Sequence, residues 1–201
     1  MDPMPEDWDR AVAVVAHPDD LEYGTAAAVA RWTRQGREVA YVLASAGEAG
    51  IEGMAPDVVG PLREQEERRS AGVVGVSTVD FLGHRDGLIE YGVPLRRDIA
   101  AAIRRHRPDV VITMSFDLTW GDEGPVNHSD HRAVGLATLD ACRDAANSWL
   151  FPDAGAAWQT ETVHALQEQC GLDRDTALRE MTQRYLKLMN TGEPAHTWPV
   201  A

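Results

Sequence analysis

The stretch Ala11-Val12-Ala13-Val14-Val15-Ala16-His17-Pro18-Asp19-Asp20 decides the fold of this 201-residue chain. Its six small or β-branched apolar residues have no polar face, which predicts a strand buried on both sides, as in a parallel sheet. Pro18 ends the strand, because proline cannot donate to a sheet ladder and biases the preceding residue toward extended geometry. Mostly helix-forming residues follow from Leu21 and predict a helix that ends at Gly36. The stretch therefore reads as strand, polar turn and helix.

Strands and helices alternate along the chain up to about residue 146. Further strands are predicted at Glu38–Ala44, Thr78–Leu82 and Asp109–Met114, and further helices at Leu62–Gly72, Pro94–Arg107 and Ala133–Ala146. This alternation implies right-handed βαβ crossovers. We therefore predict an α/β fold: a Rossmann-like, doubly wound, mainly parallel sheet with helices on both faces, formed by residues 1–150.

The segment 151–201 has a different pattern. Two helix-like stretches, Ala157–Cys170 and Arg174–Met189, predict an atypical helical C-terminal extension that packs on the same domain. Cys142 and Cys170 are too few and too isolated for a disulfide framework, so both are expected to be small buried residues.

The composition limits the partners. The net charge of −13 argues against nucleic acid and anionic membranes, which need clustered Lys and Arg. No stretch is long and apolar enough to span a bilayer, and the acidic N-terminus lacks the pattern of a signal peptide. We therefore expect a cytoplasmic protein with a small-molecule substrate. A homo-oligomer is compatible with the sequence.

Histidines and carboxylates follow two of the predicted strands. His17, Asp19 and Asp20 follow the first strand, and His128 and His131 follow the last one, where a helix begins. Parallel sheets bind ligands at the carboxyl ends of their strands, so the two clusters would face each other if these strands were neighbours. His17, Asp20 and His131 would then supply two imidazoles and one carboxylate, the pattern of a catalytic zinc site with open positions. Fe²⁺ or another divalent ion could use the same ligands.

Helix capping is the alternative interpretation of these residues. Asp19 and Asp20 could cap the helix after the first turn, and Asp130 could cap the helix after the second cluster. Two separate His/Asp clusters at strand ends favour the metal site over capping alone.

Taken together, the two clusters resemble the motifs of the LmbE-like, or PIG-L, de-N-acetylases. The matching segments are Ala16-His17-Pro18-Asp19-Asp20 and His128-Ser129-Asp130-His131-Arg132. This family consists of zinc hydrolases that remove the acetyl group from N-acetylglucosamine units of larger glycosides, and it includes the mycothiol- and bacillithiol-pathway deacetylases. Lesser similarities are Ser45-x-Gly47-Glu48-x-Gly50, Arg63-x-x-Glu66 and Asp86-Gly87, and the likeness covers about residues 11–146.

The resemblance implies a role for each matched residue. The zinc ligands would be His17, Asp20 and His131. Asp19 would be the general base, and His128 would stabilise the oxyanion or act as an acid. Contacts to sugar hydroxyls would come from Glu48, Arg63 and Asp86.

Two positions depart from the family pattern or carry a second explanation. Asp130 is placed to orient His128, although helix capping explains it as well. Some members carry a tyrosine two residues before the first histidine of the second motif, where this chain has Val126. Beyond about Asn147 the sequence no longer shows the family's further strands.

The function expected from this resemblance is zinc-dependent hydrolysis of an N-acetyl group on an N-acetylglucosamine-containing glycoside or related small molecule. Acetate and a free amine would be released. One alternative is an amidase that acts on a non-sugar amide. Another is a non-catalytic, metal-bearing binding module, which the atypical C-terminus would favour.

Overall fold

The computed structural model of the protein describes residues 6–120 and 124–166. Its strands are β1 (Arg10–Val15), β2 (Glu38–Leu43), β3 (Thr78–Phe81), β4 (Val110–Met114) and β5 (Thr162–Leu166). Its helices are α1 (Asp20–Gly24), α2 (Ala26–Arg34), α3 (Pro56–Val73), α4 (Val93–His106) and α5 (Ser129–Ala146), with one turn of 3₁₀ helix at Pro152–Ala154.

The strands form one parallel sheet in the order β3-β2-β1-β4-β5. In β1, Val12 pairs with Ala40 of β2 on one side and with Val111 of β4 on the other. Successive residues of β1 point to opposite faces, and all from Ala11 to Val15 are buried. Helices therefore cover both faces of the sheet, which confirms the predicted Rossmann-like architecture. The strand order reverses between β1 and β4, the two strands that carry the polar clusters.

Three helices differ from the prediction in their boundaries, and one of them is α5, which begins at Ser129 instead of Ala133. The first helix is interrupted at Thr25 and forms α1 and α2. The third helix begins at Pro56 instead of near Pro61, which lies inside it. Pro56 has the preset φ that suits the first helical position, so it starts the helix earlier than Pro61 could.

The predicted helix at Ala157–Cys170 is wrong in its described part. Residues 162–166 form β5, whose Thr162 pairs with Val110 and whose Leu166 pairs with Met114. A strand forms here because the open edge of β4 offers unpaired backbone groups, and this tertiary contact outweighs local helix propensity. The predicted helix at Arg174–Met189 lies outside the described residues, and the domain division at residue 150 stays a prediction.

Arg104 ties the end of α5 to the segment that follows it. This side chain is 3% exposed. Its guanidinium donates to five backbone carbonyls, those of Asp144, Ala145, Asn147, Leu150 and Phe151. The end of α5 and the turn leading to β5 are thereby held against α4. Within the described residues, the helices are too short or too polar to cross a membrane.

Candidate metal centre

The turn after β1 is built around the carboxylate of Asp20. Its Oδ2 atom accepts hydrogen bonds from the backbone N–H groups of Ala16 (3.1 Å) and His17 (2.8 Å). Its Oδ1 atom lies 3.2 Å from Nε2 of His131. One carboxylate oxygen thus closes the turn, while the other faces the second cluster. The Asp20 side chain is only 10% exposed.

The second cluster begins at the amino end of α5. His128 occupies the N-cap position, and its Nδ1 accepts a hydrogen bond from the backbone N–H of Asp130 (3.2 Å). His131 lies in the first turn of the helix, where its Nδ1 contacts Oδ1 of Asn127 at 3.0 Å. The amide oxygen of Asn127 can only accept, so Nδ1 donates in this contact, and Nε2 of His131 faces Asp20.

His17, Asp20 and His131 come together as the sequence predicts. One potential ligand atom from each lies within 4.8 Å of the others. Nδ1 of His17 lies 3.7 Å from Oδ2 of Asp20, and Nε2 of His131 lies 3.2 Å from Oδ1. Tetrahedral zinc with bonds of about 2.0–2.2 Å places its ligands roughly 3.4 Å apart. Two imidazoles and one carboxylate at these separations fit a divalent ion, and three protein ligands leave a position for water.

Two further carboxylates surround His17. Its Nε2 lies 3.1 Å from an oxygen of Asp86 and 3.1 Å from an oxygen of Asp130. Asp130 is fully buried and also accepts from the backbone N–H groups of Gly87 (2.7 Å) and Ile89 (3.3 Å). A histidine whose second nitrogen contacts a carboxylate is held in the orientation that metal ligation requires.

These contacts correct the interpretation of Asp130. Within residues 6–120 and 124–166, its carboxylate makes no hydrogen bond to the ring of His128 and does not cap α5; the N-cap is His128 itself. The carboxylate contacts His17 and the loop after β3 instead. The backbone N–H of Asp130, rather than its side chain, orients His128. A second group of potential ligands, made of His17, His128 and Asp130, overlaps the first at His17.

The charges of the cluster perturb its titration. Burial alone would lower the pKa of the His17 imidazole. Hydrogen bonding and attraction to Asp20, reinforced by Asp130 and Asp86, outweigh burial and raise this pKa to about 9. Burial would likewise raise the pKa of Asp20, but hydrogen bonds with His131 and His17 lower it to about 2. A centre with this excess of negative charge favours a bound cation.

Asp19 stands beside these ligands without joining them. Its backbone is left-handed, with φ of 87°, and its carboxylate is paired with Nη2 of Arg63 at 2.9 Å. The same Nη2 donates to the carbonyl of Pro18 at 2.7 Å. The side chain makes no capping hydrogen bond to α1 and is 53% exposed. The capping interpretation of Asp19 is therefore wrong, and its carboxylate is half exposed beside Arg63.

The loop after β2 leaves space for the side chain of Arg63 at Gly47. Gly47 has φ of 64°, and a Cβ at this position would lie 2.9 Å from Nε of Arg63. Glu48 and Asp86 are bound to the neighbouring backbone: Oε1 of Glu48 accepts from the N–H of Asp86 (2.9 Å), and Oδ2 of Asp86 accepts from the N–H of Ala49 (2.9 Å). These bonds join the loops after β2 and β3. Substrate contacts by Glu48, Arg63 and Asp86 stay predictions.

Sequence reasoning missed two residues that hold His131. Asn127 is 1% exposed, and its amide group donates to the carbonyls of Ser115 (3.0 Å) and Asp117 (3.1 Å). The indole of Trp120 packs edge-on against the imidazole, with ring centroids 5.7 Å apart. The sequence signal that could have identified Asn127 was its position directly before the second motif. Val126, at the position of the family's tyrosine, is 69% exposed.

Comparison with known proteins identifies similar sequences. A family model described as PIG-L, GlcNAc-PI de-N-acetylase, matches residues 12–142. The chain is 29% identical over 137 residues to the diacetylchitobiose deacetylase of Thermococcus kodakarensis, which covers 67% of this chain and 49% of that protein. It is 28% identical over 200 residues to the 1D-myo-inositol 2-acetamido-2-deoxy-alpha-D-glucopyranoside deacetylase of Thermobifida fusca, which covers 85% and 66%. The chain thus spans about half to two thirds of these relatives.

A solved structure agrees on the fold. The N,N'-diacetylchitobiose deacetylase from Pyrococcus horikoshii superimposes with a TM-score of 0.76 at 20% sequence identity, covering 89% of this chain and 70% of that one. At this identity the likeness concerns the fold alone.

Proposed function

From the fact that the chain belongs to the PIG-L family of GlcNAc-PI de-N-acetylases, we propose that it is a metal-dependent hydrolase of an N-acetyl group. The substrate class is a glycoside that contains N-acetylglucosamine, and the products are acetate and a free amine. The observation that carries the proposal is the convergence of His17, Asp20 and His131 into one donor group, with Asp19 and His128 beside it.

The metal is proposed to be zinc, held by His17, Asp20 and His131. When bound, such an ion polarises the acetyl carbonyl and lowers the pKa of a water molecule toward about 7. Fe²⁺ is an alternative with the same ligands, since nitrogen and oxygen donors do not discriminate strongly between these ions.

Asp19 is proposed to take the proton from the attacking water. Both oxygens of its neighbour Asp20 are engaged, one with the turn and one with His131, whereas the Asp19 carboxylate is half exposed. Arg63 holds that carboxylate at 2.9 Å and so fixes its position without removing its ability to accept a proton.

His128 is proposed to stabilise the oxyanion. Its Nδ1 accepts from the backbone N–H of Asp130, so the neutral ring carries its proton on Nε2. This nitrogen can donate to the developing charge on the acetyl oxygen. Donors of this kind commonly contribute about 3 kcal/mol to transition-state stabilisation. Water attacks the carbonyl carbon, the C–N bond breaks, and the amine leaves after gaining a proton from the protein.

The proposal is tested by measuring amine release from a panel of N-acetylglucosaminides and from plain N-alkyl acetamides, using zinc-loaded protein. We expect turnover of the glycosides and little of the plain amides. Turnover of both to the same extent would instead identify a general amidase, and no turnover of either would refute the hydrolase.

Two variants separate the roles of the residues. Asp19→Asn should keep its zinc and lose at least 100-fold in kcat, because general-base catalysis commonly contributes about 10²–10⁴-fold. His131→Ala should lose both zinc and turnover. His84→Ala is the matched control, because His84 pairs with Asp98 of α4 and not with the centre. Full activity of the Asp19 variant would contradict its assignment as the base.

A further inference from the structure

A second polar cluster lies between α1, α3 and β2. We call it the carboxylate cluster, and it consists of Glu22 on α1, Glu67 and Ser70 on α3, and Tyr41 on β2. Oε2 of Glu67 accepts from the backbone N–H of Asp19 at 3.4 Å, and Oε1 of Glu22 accepts from the hydroxyl of Ser70. Glu22 therefore connects α1 to α3, and Glu67 connects α3 to the residue directly before α1.

Three oxygen atoms of the carboxylate cluster have no hydrogen-bond partner in the part of the chain that the structure describes. They are Oε2 of Glu22, Oε1 of Glu67 and the hydroxyl oxygen of Tyr41, and all three are buried. Glu67 is 2% exposed and Tyr41 is 1% exposed. Burial raises the pKa of the Tyr41 phenol, and the charges of Glu22 and Glu67 raise it further. Buried polar atoms without a partner are rare in native proteins, and a buried charge is costly unless it is compensated.

No cationic side chain supplies this compensation within residues 6–120 and 124–166. Of the three arginines of α3, Arg69 is exposed and the other two are engaged elsewhere. Arg63 binds Asp19 and the carbonyl of Pro18. Arg68 donates to the carbonyl of Val79 and lies over the ring of Phe81, with its guanidinium carbon 5.1 Å from the ring centroid.

We propose that the carboxylate cluster binds a hard divalent cation, of the Ca²⁺, Mg²⁺ or Mn²⁺ type, at a site separate from the candidate metal centre. All the donors on Glu22, Glu67 and Tyr41 are oxygens, which suit these ions better than zinc or copper. Two carboxylates balance the charge of one divalent ion. The ion would take the three unpartnered oxygens as ligands.

This site has a structural consequence for its neighbour. Glu67 accepts from the N–H of Asp19, and Glu22 lies on the short helix α1 that Asp20 begins. A cation between the glutamates would lock α1 against α3 and stabilise the turn that carries these aspartates. The inference does not depend on the proposed reaction, because no member of the carboxylate cluster takes part in it.

The test uses chelator-treated protein that is reloaded with one equivalent of zinc, so that the candidate metal centre is filled. Its melting temperature is followed while CaCl₂, MgCl₂ or MnCl₂ is added at an ionic strength held constant with tetramethylammonium chloride. We expect a saturable rise of several degrees with at least one of these salts. Absence of a saturable rise would overturn the proposal, and so would a rise produced equally by NaCl or KCl.

Variants test whether the rise in melting temperature comes from the carboxylate cluster. Glu67→Gln should abolish it, and Tyr41→Phe, which removes a single oxygen, should require at least tenfold more cation for half-saturation. Glu64→Gln removes the same charge one turn earlier on α3, where the side chain is 39% exposed, and should leave the response unchanged. An unchanged response in Glu67→Gln and Tyr41→Phe would refute the site. If Glu67→Gln fails to fold, Tyr41→Phe and an anomalous signal from Mn²⁺ between the glutamates decide the question.

Discussion

The guanidinium of Arg104 makes a sharp prediction about stability. Arg104→Met keeps most of the apolar stem but removes donors to five carbonyls. Those of Asp144, Ala145, Asn147 and Phe151 keep a second partner, because backbone N–H groups also donate to them. Within the described residues, Leu150 loses its one donor.

The expected loss of stability follows from the number of hydrogen bonds that the variant removes. Leaving the partly buried carbonyl of Leu150 without a donor costs up to about 1–3 kcal/mol, and the lost charge-assisted bonds add to this cost, while removal of a buried charge offsets part of it. We expect the free energy of unfolding to fall by about 3 kcal/mol, which corresponds to roughly 6–12 °C in melting temperature for a chain of this size.

The assay is urea unfolding followed by circular dichroism, with Arg105→Met as the control. Arg105 is the next residue of α4, is 56% exposed and pairs with Asp80 on the surface. Exposed pairs contribute about 1 kcal/mol or less, so this control should lose little stability. Equal losses in the two variants would refute the reasoning that the buried carbonyl contacts, rather than the positive charge, stabilise this part of the fold.

Three further predictions concern the candidate metal centre. Because the pKa of His17 is raised to about 9, its ring holds a proton at neutral pH that a metal must displace. Zinc affinity, measured by competition with a chromophoric chelator, should therefore rise from pH 6 to pH 9. Equal affinities at the two pH values would contradict this prediction. Asn127→Ala should weaken zinc binding by about 10–100-fold in the same assay, because His131 loses the contact that orients it; unchanged affinity would exclude that role. Gly47→Ala should lower the free energy of unfolding by about 1–2 kcal/mol in urea, since a φ of 64° is costly for alanine and the new Cβ would contact Arg63. No measurable loss of stability would show that the loop relaxes to accommodate the methyl group.

The sheet and the ligand triad could be predicted because their signals are local. The run at residues 11–16 has a composition that fits a buried parallel strand, and polar side chains at strand ends meet wherever strands are neighbours. His17, Asp20 and His131 needed only the adjacency of β1 and β4, which the usual topology supplies. The fold and the grouping of His17, Asp20 and His131 could therefore be predicted without knowledge of the loops.

The remaining features depend on contacts that local patterns do not encode. β5 was missed because its five residues acquire strand structure from the edge of β4. Asp130 was misassigned because an aspartate near a helix start has the same local pattern whether it caps the helix or binds a distant loop, here at Gly87. The pairing of Asp19 with Arg63 likewise depends on how α3 approaches the turn after β1.

The hydrogen bonds from Ala16 and His17 to the carboxylate of Asp20 bear on how the protein can be handled in the laboratory. Because backbone amides already hold this proposed ligand, binding of an ion would not require the turn to fold at the same time. Samples grown in different media should then carry different ions in one and the same fold. Exchange for Co²⁺ should consequently be achievable by simple dialysis, which would give the centre a visible absorption spectrum through which binding and inhibition can be followed.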